Sequence, residues 1–310
     1  MGTLREWTYP SSDGTHSVYV REWEPEGTVR GIVQIVHGVS EHITRYDRVA
    51  QFLNEHGILV CGEDHLGHGH TASDEKYGYF APEQGWELVV RDIHRLRQQM
   101  EERYPNVPYV LLGHSMGSFL VRTYLLRDYP ALKGVVLSGT GQEAPWMLWG
   151  GRVLGAVLFR LRGGTYASKL LYGMSMGAYN KQFKPIRTSA DWTSRDDEEV
   201  DIRLKDPWCL FLPTVQLFSD MLEALQYLGK QENLEGMDPD VPVYFLSGDR
   251  DPVGDRGKSV KHVAEMFRIA GCKDVTVKLY PGGRHEMFNE INRQEVFNDL
   301  LSWLEKHVFA

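Results

Sequence analysis

A serine flanked by glycines is the clearest candidate for chemistry in this chain of 310 residues. Ser115 stands at the centre of Gly113-His-Ser-Met-Gly117, directly after the apolar run Tyr109–Leu112 and before a helical pattern that begins at Phe119. A serine on a sharp turn from strand to helix has strained backbone angles, and glycines two residues away on either side let that turn form. The free N–H groups of the following helix favour negative charge developing near the serine. The motif therefore predicts that Ser115 is the nucleophile of an acyl-transfer reaction.

A base that could activate Ser115 follows late in the chain. A serine hydroxyl is a good nucleophile only when a histidine accepts its proton and a carboxylate orients that histidine. When the serine lies on such a turn, the acid and then the histidine follow the ends of later strands. His285 comes after the apolar run Val275–Tyr280, whereas His262 and His307 lie in helical patterns. We therefore predict that His285 is the base.

Two aspartates in one loop compete for the role of the acid. Asp249 and Asp251 both follow the strand pattern Val241–Leu246. A residue before proline favours extended backbone, and Asp251 precedes Pro252, so its side chain could be directed at an imidazole. Asp249 is better suited to brace the turn through its own backbone. We favour Asp251 as the acid and keep Asp249 as the alternative.

Two backbone N–H groups are candidates for binding the oxyanion of an acyl-transfer reaction. One donor is expected from the residue after the nucleophile, which is Met116. The other is expected from the loop after the early strand Gly31–Val36. In that loop Gly38 lets the backbone approach a substrate, and Val39 offers its N–H.

A histidine-rich segment needs a separate interpretation. Asp64-His-Leu-Gly-His-Gly-His70 follows the strand pattern Ile58–Cys61. Its spacing matches neither a helical HExxH motif nor another zinc-hydrolase pattern. We interpret it as a glycine-containing turn, and we predict that the catalytic chemistry uses neither a metal nor a cofactor.

The elements that must position these residues alternate between short apolar runs and amphipathic helical patterns. Such runs are typical of strands buried on both faces of a parallel sheet, and the alternation predicts a doubly wound α/β fold. The predicted strands are 18–23, 31–36, 58–61, 109–112, 132–137, 241–246 and 275–280. The predicted helices are 86–100, 119–129, 260–270 and 296–308.

One segment interrupts this alternation. From about residue 141 to residue 212 there is no clear buried strand, and we interpret this segment as a helical cap inserted into a body formed by residues 1–140 and 213–310. An apolar arc within it is compatible with a helix that packs on the body. It is also compatible with an acyl-chain pocket or a surface that contacts lipid or a membrane. The arc consists of Val153, Leu154, Val157, Leu158 and Leu161, and an aromatic-rich run, Trp146-Met-Leu-Trp149, precedes it.

Composition narrows the classes of partner and compartment. The net charge of −8 argues against a nucleic-acid partner, because phosphate binding needs a basic face. Three scattered cysteines do not form a disulfide framework and favour a reducing compartment. We find neither a secretory signal nor a long apolar span, so we expect a cytoplasmic protein.

The motifs together resemble a known family. His37-Gly-Val-Ser-Glu-His42 with Arg45-Tyr46, Asp64-His-Leu-Gly-His-Gly69, the serine motif and the late Asp251 and His285 are similar to the monoacylglycerol lipase and lysophospholipase branch of the α/β hydrolases. The resemblance implies an eight-stranded, mostly parallel sheet with a mobile cap. It also implies a triad of Ser115, Asp251 and His285, oxyanion donors at Val39 and Met116, and a small-molecule acyl ester as the substrate.

Other activities use the same triad and remain alternatives at this point. An aminopeptidase, an amidase or a thioesterase differs only in the leaving group. A peptidase that selects a free amino terminus needs an acidic anchor, which Glu41 or acids of the cap could supply. A receptor built on a hydrolase scaffold would retain the triad without multiple turnover.

Overall fold

The centre of the molecule is one sheet of eight strands, in the order β1-β2-β4-β3-β5-β6-β7-β8. The computed structural model describes residues 2–72 and 77–309. The six strands β3 to β8 are all parallel to one another, and β2 is antiparallel to both of its neighbours, β1 and β4. The strands are β1 (Thr3–Pro10), β2 (Ser17–Glu24), β3 (Gly31–Val36), β4 (Ile58–Glu63), β5 (Tyr109–His114), β6 (Gly134–Ser138), β7 (Val243–Gly248) and β8 (Val275–Tyr280).

Helices cover both faces of the sheet. Within the described residues they are α1 (Asp47–Asn54), α2 (Gly85–Arg103), α3 (Met116–Tyr124), α4 (Pro145–Arg162), α5 (Lys169–Met174), α6 (Met176–Tyr179), α7 (Asp197–Lys205), α8 (Val215–Leu228), α9 (Lys258–Ile269) and α10 (Arg293–His307). Apolar side chains of α1 and α10 pack on one face, and those of α2, α3, α8 and α9 pack on the other. Every residue of β3 to β7 is therefore buried, which explains their continuous apolar sequences.

The doubly wound α/β fold predicted from the sequence is confirmed, although helices α1 and α8 and strand β1 were not predicted and the bounds of α3 differ. The apolar runs do not predict β1, because this edge strand is exposed along most of its length and pairs only with β2. Helix α3 begins at Met116 and ends at Tyr124, so the prediction of a helix from Phe119 to Tyr129 was shifted towards the C-terminus.

The chain between β6 and β7 is helical, and four of its helices, α4 to α7, lie within the predicted cap. The next helix, α8, contributes Leu217, Leu225 and Leu228 to the apolar core beside α2 and α3. Glycines in α4 allow close packing on α8, since a Cβ on Gly151 would lie 2.9 Å from a methyl carbon of Leu222. The boundary between cap and body at residue 212 stays a prediction.

The apolar arc of α4 is divided between two environments. Leu154 and Leu158 pack against Leu171, Val215 and Phe218. The other three members of the arc, Val153, Val157 and Leu161, are exposed. For the described part of the chain, no helix is long and apolar enough to cross a membrane.

Candidate active site

Ser115 occupies a strained turn between β5 and α3. Its φ of 53° and ψ of −122° lie in a region that non-glycine residues rarely adopt. A Cβ on Gly113 would lie 2.5 Å from the carbonyl oxygen of Gly117, and a Cβ on Gly117 would overlap the carbonyl oxygen of Val36. Both glycines are therefore required by close backbone packing, which explains the motif found in the sequence.

A cavity of about 530 Å³ lies between the body and the inserted helices, and Ser115 lines it. Most of the other lining side chains are apolar. They include Val39, Met116, Phe119, Trp146, Leu148, Leu154, Met174, Met176, Trp192, Phe218, Met221, Leu222 and Leu225. A pocket of this size and polarity suits an extended apolar ligand with a single polar end at the serine.

Asp251 and His285 meet in a buried pair at the carboxyl ends of β7 and β8. Nδ1 of His285 lies 3.0 Å from each carboxylate oxygen of Asp251. The carboxylate also accepts hydrogen bonds from the Val253 N–H at 2.9 Å and the Ser247 hydroxyl at 3.2 Å. Burial disfavours the charged imidazole, but the charge of Asp251 and its hydrogen bond outweigh burial, so the pKa of His285 is raised above its ordinary value.

Asp249 has a different environment from Asp251. Its carboxylate accepts a hydrogen bond from the Gly282 N–H at 2.7 Å, and its own N–H donates to the carbonyl oxygen of Tyr280 at 3.0 Å. Asp249 therefore joins the loops that follow β7 and β8. The structure brings Asp251, and not Asp249, to the histidine.

The imidazole of His285 lies between two aromatic rings close to the nucleophile turn. Its centroid is 4.7 Å from that of His114, the neighbour of Ser115, and 4.9 Å from that of Trp192. Burial lowers the pKa of His114 to about 4, so this second imidazole stays neutral. Within residues 2–72 and 77–309, no hydrogen bond joins the Ser115 hydroxyl to His285. Such bonds commonly shorten only when substrate binds.

The two residues expected to supply oxyanion donors lie close to Ser115. Met116 is the first residue of α3, where N–H groups have no partner inside the helix. The loop that carries Val39 packs against the nucleophile, since a Cβ on Gly38 would lie 3.0 Å from the Cβ of Ser115. Within the described segments, neither the Val39 N–H nor the Met116 N–H donates a hydrogen bond to a protein acceptor. Both donors are therefore available to a ligand at Ser115.

A buried network of charges supports the loop that carries Val39. The Glu41 carboxylate accepts hydrogen bonds from the Gly38 N–H and from the Tyr46 hydroxyl at 3.0 Å. Arg45 lies 3.1 Å from Glu41 and binds Glu286 with two hydrogen bonds of 2.7 and 3.0 Å. Burial would raise the pKa of Glu286, but the charges of Arg45 and Arg203 lower it well below its ordinary value. This network fixes the loop that carries Val39 to the residue that follows His285.

Sequence reasoning did not identify this network as part of the site. Arg45 and Glu41 both belong to the motif that carries the family resemblance, and the only role predicted for Glu41 was that of an anchor for a peptide amino terminus. One signal was available for Glu286, because a charged residue stands directly beside the predicted base in a loop that has to pack against the sheet.

The histidine-rich segment braces the same loop. The Asp64 carboxylate accepts hydrogen bonds of 2.8 Å from the N–H groups of Ile43 and His70. The ring of His65 stacks on that of His37, with centroids 4.0 Å apart. The segment therefore forms a turn that supports the loop after β3, as the sequence pattern predicts.

Comparisons with known proteins show the family to which the chain is similar. A family model described as serine aminopeptidase, S33, matches residues 27–292. The chain is 30% identical over 315 residues to the monoacylglycerol lipase of Mycolicibacterium smegmatis, with 99% of each chain covered. It is 27% identical over 300 residues to the monoglyceride lipase of Homo sapiens, covering 96% of this chain and 89% of that protein.

Solved structures show the same likeness. A thermostable carboxyl esterase from Bacillus coagulans in complex with glycerol has a TM-score of 0.91 and 30% identity, covering 99% of this chain and 100% of that chain. A soluble variant of the monoglyceride lipase of Saccharomyces cerevisiae, in complex with a substrate analog, has a TM-score of 0.78 and 21% identity, covering 99% and 96%. The second likeness shows the fold alone.

Proposed function

The chain belongs to the serine aminopeptidase (S33) family of α/β hydrolases, and from this premise we propose that it hydrolyses single-chain acyl esters of the monoacylglycerol and lysophospholipid type. It is a serine hydrolase whose relatives are lipases and esterases. We assign Ser115 as the nucleophile, His285 as the base and Asp251 as the acid. The names of the relatives from Mycolicibacterium smegmatis and Homo sapiens support a glycerol ester in particular.

The observation that carries this proposal is the apolar cavity that begins at Ser115. Its walls offer few polar groups with which to bind a charged or peptide-like acyl part. An acyl chain that enters it removes apolar surface from water, which contributes about 0.8 kcal/mol for each buried methylene. The cavity therefore favours a fatty acyl group at the reacting carbonyl.

The geometry supports a two-step acyl transfer. The Ser115 hydroxyl attacks the ester carbonyl while Nε2 of His285 accepts its proton, and Asp251 stabilises the imidazolium through Nδ1. The N–H groups of Val39 and Met116 bind the oxyanion, and each such donor lowers the barrier by about 3–4 kcal/mol. His285 then protonates the leaving alcohol, after which water attacks the acyl-enzyme with His285 again accepting a proton.

The environment of Glu41 argues against this residue as the amino-terminal anchor of an aminopeptidase. A free amino terminus needs a carboxylate that is open to the ligand. The Glu41 carboxylate is buried and already bonded to Gly38, Arg45 and Tyr46. Its geometry supports a structural role, so we place ester substrates ahead of aminoacyl amides.

We further propose that the outer face of α4 contacts a lipid surface. Trp146, which lines the cavity, is 74% exposed, and Trp149 and Leu161 on the same helix are 66% and 71% exposed. The inner face of this helix, with Leu148 and Leu154, lines the cavity. A helix that is apolar on both faces would let an acyl chain pass from a lipid aggregate to Ser115 with little contact with water. With a net charge of −8, this contact is expected to depend on apolar burial and not on anionic lipid.

The cysteines support the proposal of a cytoplasmic location. Cys61, Cys209 and Cys272 are all buried free thiols. Their spread through the chain suits a reducing compartment.

The proposal is tested by a substrate series measured on the wild-type chain and on Ser115→Ala. The series comprises p-nitrophenyl esters of increasing length, monoacylglycerols, lysophospholipids and aminoacyl amides. We expect kcat/KM to rise by up to about fourfold per methylene until the cavity is filled. We also expect Ser115→Ala to lose both turnover and fluorophosphonate labelling. Faster turnover of aminoacyl amides than of esters, or labelling that persists in Ser115→Ala, would contradict the proposal.

A further inference from the structure

Three potential metal ligands from two distant segments meet beside the loop that carries Val39. His42 belongs to this loop, and Asp206 and Cys209 lie in the short turn that follows α7. Nε2 of His42 is 2.6 Å from Oδ2 of Asp206, and one ligand atom of each of the three residues lies within 4.8 Å of the others. None of the three residues has a role in the mechanism above.

The donor set is one that Zn²⁺ prefers. Imidazole nitrogen, carboxylate oxygen and thiolate sulfur bind zinc at about 2.0–2.3 Å with tetrahedral geometry. Those bond lengths place neighbouring ligand atoms about 3.3–3.8 Å apart. A zinc ion would therefore separate Nε2 of His42 from Oδ2 of Asp206 and bring the Cys209 sulfur to bonding distance.

Other groups already orient these ligands as a metal site requires. Oγ1 of Thr44 lies 2.5 Å from Nδ1 of His42, which leaves Nε2 to face Asp206. The N–H of Trp208 donates to Oδ1 of Asp206 at 2.9 Å, which leaves Oδ2 to face His42. A metal-bound histidine commonly donates its other ring N–H to an oxygen, so zinc binding would move the His42 proton from Nε2 to Nδ1, where Oγ1 of Thr44 can accept it. The Asp206 side chain is 22% exposed, so an ion and a water ligand have a path to the otherwise buried site.

The charges around the site can accommodate a dication. A carboxylate and a thiolate together neutralise Zn²⁺. The nearby cations Arg45 and Arg203 are both paired with Glu286, at 2.7 and 3.3 Å, which reduces their repulsion of a metal ion. The site therefore avoids the cost of an unpaired buried charge.

We propose that His42, Asp206 and Cys209 bind one Zn²⁺ ion, with water as the fourth ligand. On binding, the sulfur of Cys209 forms a bond to zinc and its proton leaves to solvent, without any redox change. The ion would tie the oxyanion loop to the chain that leaves α7. Besides the His42–Asp206 bond, two hydrogen bonds of 3.0 Å link these segments, from Arg203 to the Ser40 carbonyl and from the Ser40 hydroxyl to the Phe211 carbonyl.

The test is a titration of the full chain with Cd²⁺, which binds the same ligands and gives an ultraviolet absorption band when bound by thiolate. The wild-type chain is expected to bind one Cd²⁺ with this band and to release a proton. Cys209→Ser is expected to lose the band, while Cys272→Ser, a matched change at another buried cysteine, retains it. Asp206→Asn keeps the thiol and is expected to bind at least about tenfold more weakly.

Melting curves of the metal-free variants show that each is folded before titration, and Zn²⁺ is expected to raise the melting temperature of the wild-type chain but not of Cys209→Ser. A folded wild-type chain without a saturable band, or an equal band in Cys209→Ser, overturns the proposal. The titration uses no ester, so repeating it on Ser115→Ala gives a result that does not depend on the proposed esterase activity.

Discussion

Helices α3 and α4 both border the catalytic cavity, but they are built in opposite ways. Every residue of α3 is buried, whereas only Leu148 and Gly155 are buried in α4. Gly117 in α3 leaves no room for a Cβ, while a Cβ on Gly150 in α4 would have nothing within 4 Å. Helix α3 is therefore packed on every side, whereas α4 is apolar and largely exposed.

The difference in packing between α3 and α4 corresponds to two functions of an ester hydrolase, the reaction itself and access of the substrate. The groups that react with the ester need positions fixed to a few tenths of an ångström, and dense packing around α3 supplies this. The surface that meets the substrate needs room for acyl chains of different lengths, and we propose that the open packing of α4 supplies it. Changes on the α3 side should therefore affect chemistry or folding, and changes on the outside of α4 should affect access to lipid.

The largest effect is expected at the acid of the triad. Asp251→Asn removes the charge that stabilises the imidazolium, and we expect kcat/KM for a soluble ester to fall by about 10⁴-fold. Asp249→Asn is the matched control, because it weakens only the bond to Gly282, with a loss of about 1 kcal/mol of stability and little change in turnover. Steady-state kinetics of both variants measure kcat/KM, and urea unfolding measures the free energy of unfolding. A larger loss of kcat/KM in Asp249→Asn would reverse the assignment.

The next effect is on the pH dependence of turnover. The protonated imidazole of His285 cannot accept a proton, so kcat/KM should fall as pH drops through its pKa. Because Asp251 raises that pKa, the acid limb should lie above the ordinary imidazole value of about 6.5. Two pH units below the pKa of His285, kcat/KM should be about 100-fold lower than on the plateau. Asp251→Asn should move the limb to lower pH. His114, with a pKa of about 4, does not contribute to it. A pH profile that is identical in Asp251→Asn would show that another group is responsible.

The packing contrast can be tested directly with two glycines. In Gly117→Ala the new Cβ overlaps the backbone of Val36, and we expect a loss of about 3 kcal/mol in the free energy of unfolding, with weaker fluorophosphonate labelling. Gly150→Ala places the same methyl group in open space on a helix and should stabilise the chain by about 0.5–1 kcal/mol. If urea denaturation shows the same change in the free energy of unfolding for both variants, the proposed difference in packing between α3 and α4 is refuted.

The smallest effect is expected on the outside of α4. Trp149 and Val157 are exposed and are not among the residues that line the cavity. A double change, Trp149→Ala with Val157→Ser, should slow hydrolysis of vesicle-bound monoacylglycerol by about tenfold while turnover of a soluble short-chain ester stays constant. Ile269→Ser, at an exposed apolar position on α9, is the matched control and should alter neither rate. A parallel loss on both substrates would indicate damage to the site instead.

The positions of the site residues on the fold could be predicted from the sequence because the carboxyl ends of parallel strands share one edge of a sheet. Ser115, Asp251 and His285 each follow such a strand, so the order of the elements was enough to expect them together. The choice between Asp249 and Asp251 was harder, because both stand in one loop and only three-dimensional contacts separate their environments.

Other features could not be predicted, because local patterns report the exposure of one element and not which distant segments meet. Arg45 and Glu286 are 241 residues apart and form a bidentate pair. His42 and Asp206 are 164 residues apart. The edge strand β1 has mostly exposed side chains, so its apolar signal is weak.

The guanidinium of Arg45 has a consequence for protein engineering. It connects Glu41 in the oxyanion loop with Glu286 beside the catalytic histidine. A chimera that exchanges either loop with a hydrolase that lacks these charges, but not both, would break the Arg45–Glu286 pair and weaken the buried network near Ser115. Residues 38–45 and 285–286 should therefore be exchanged together in a chimera, although they lie far apart in the sequence.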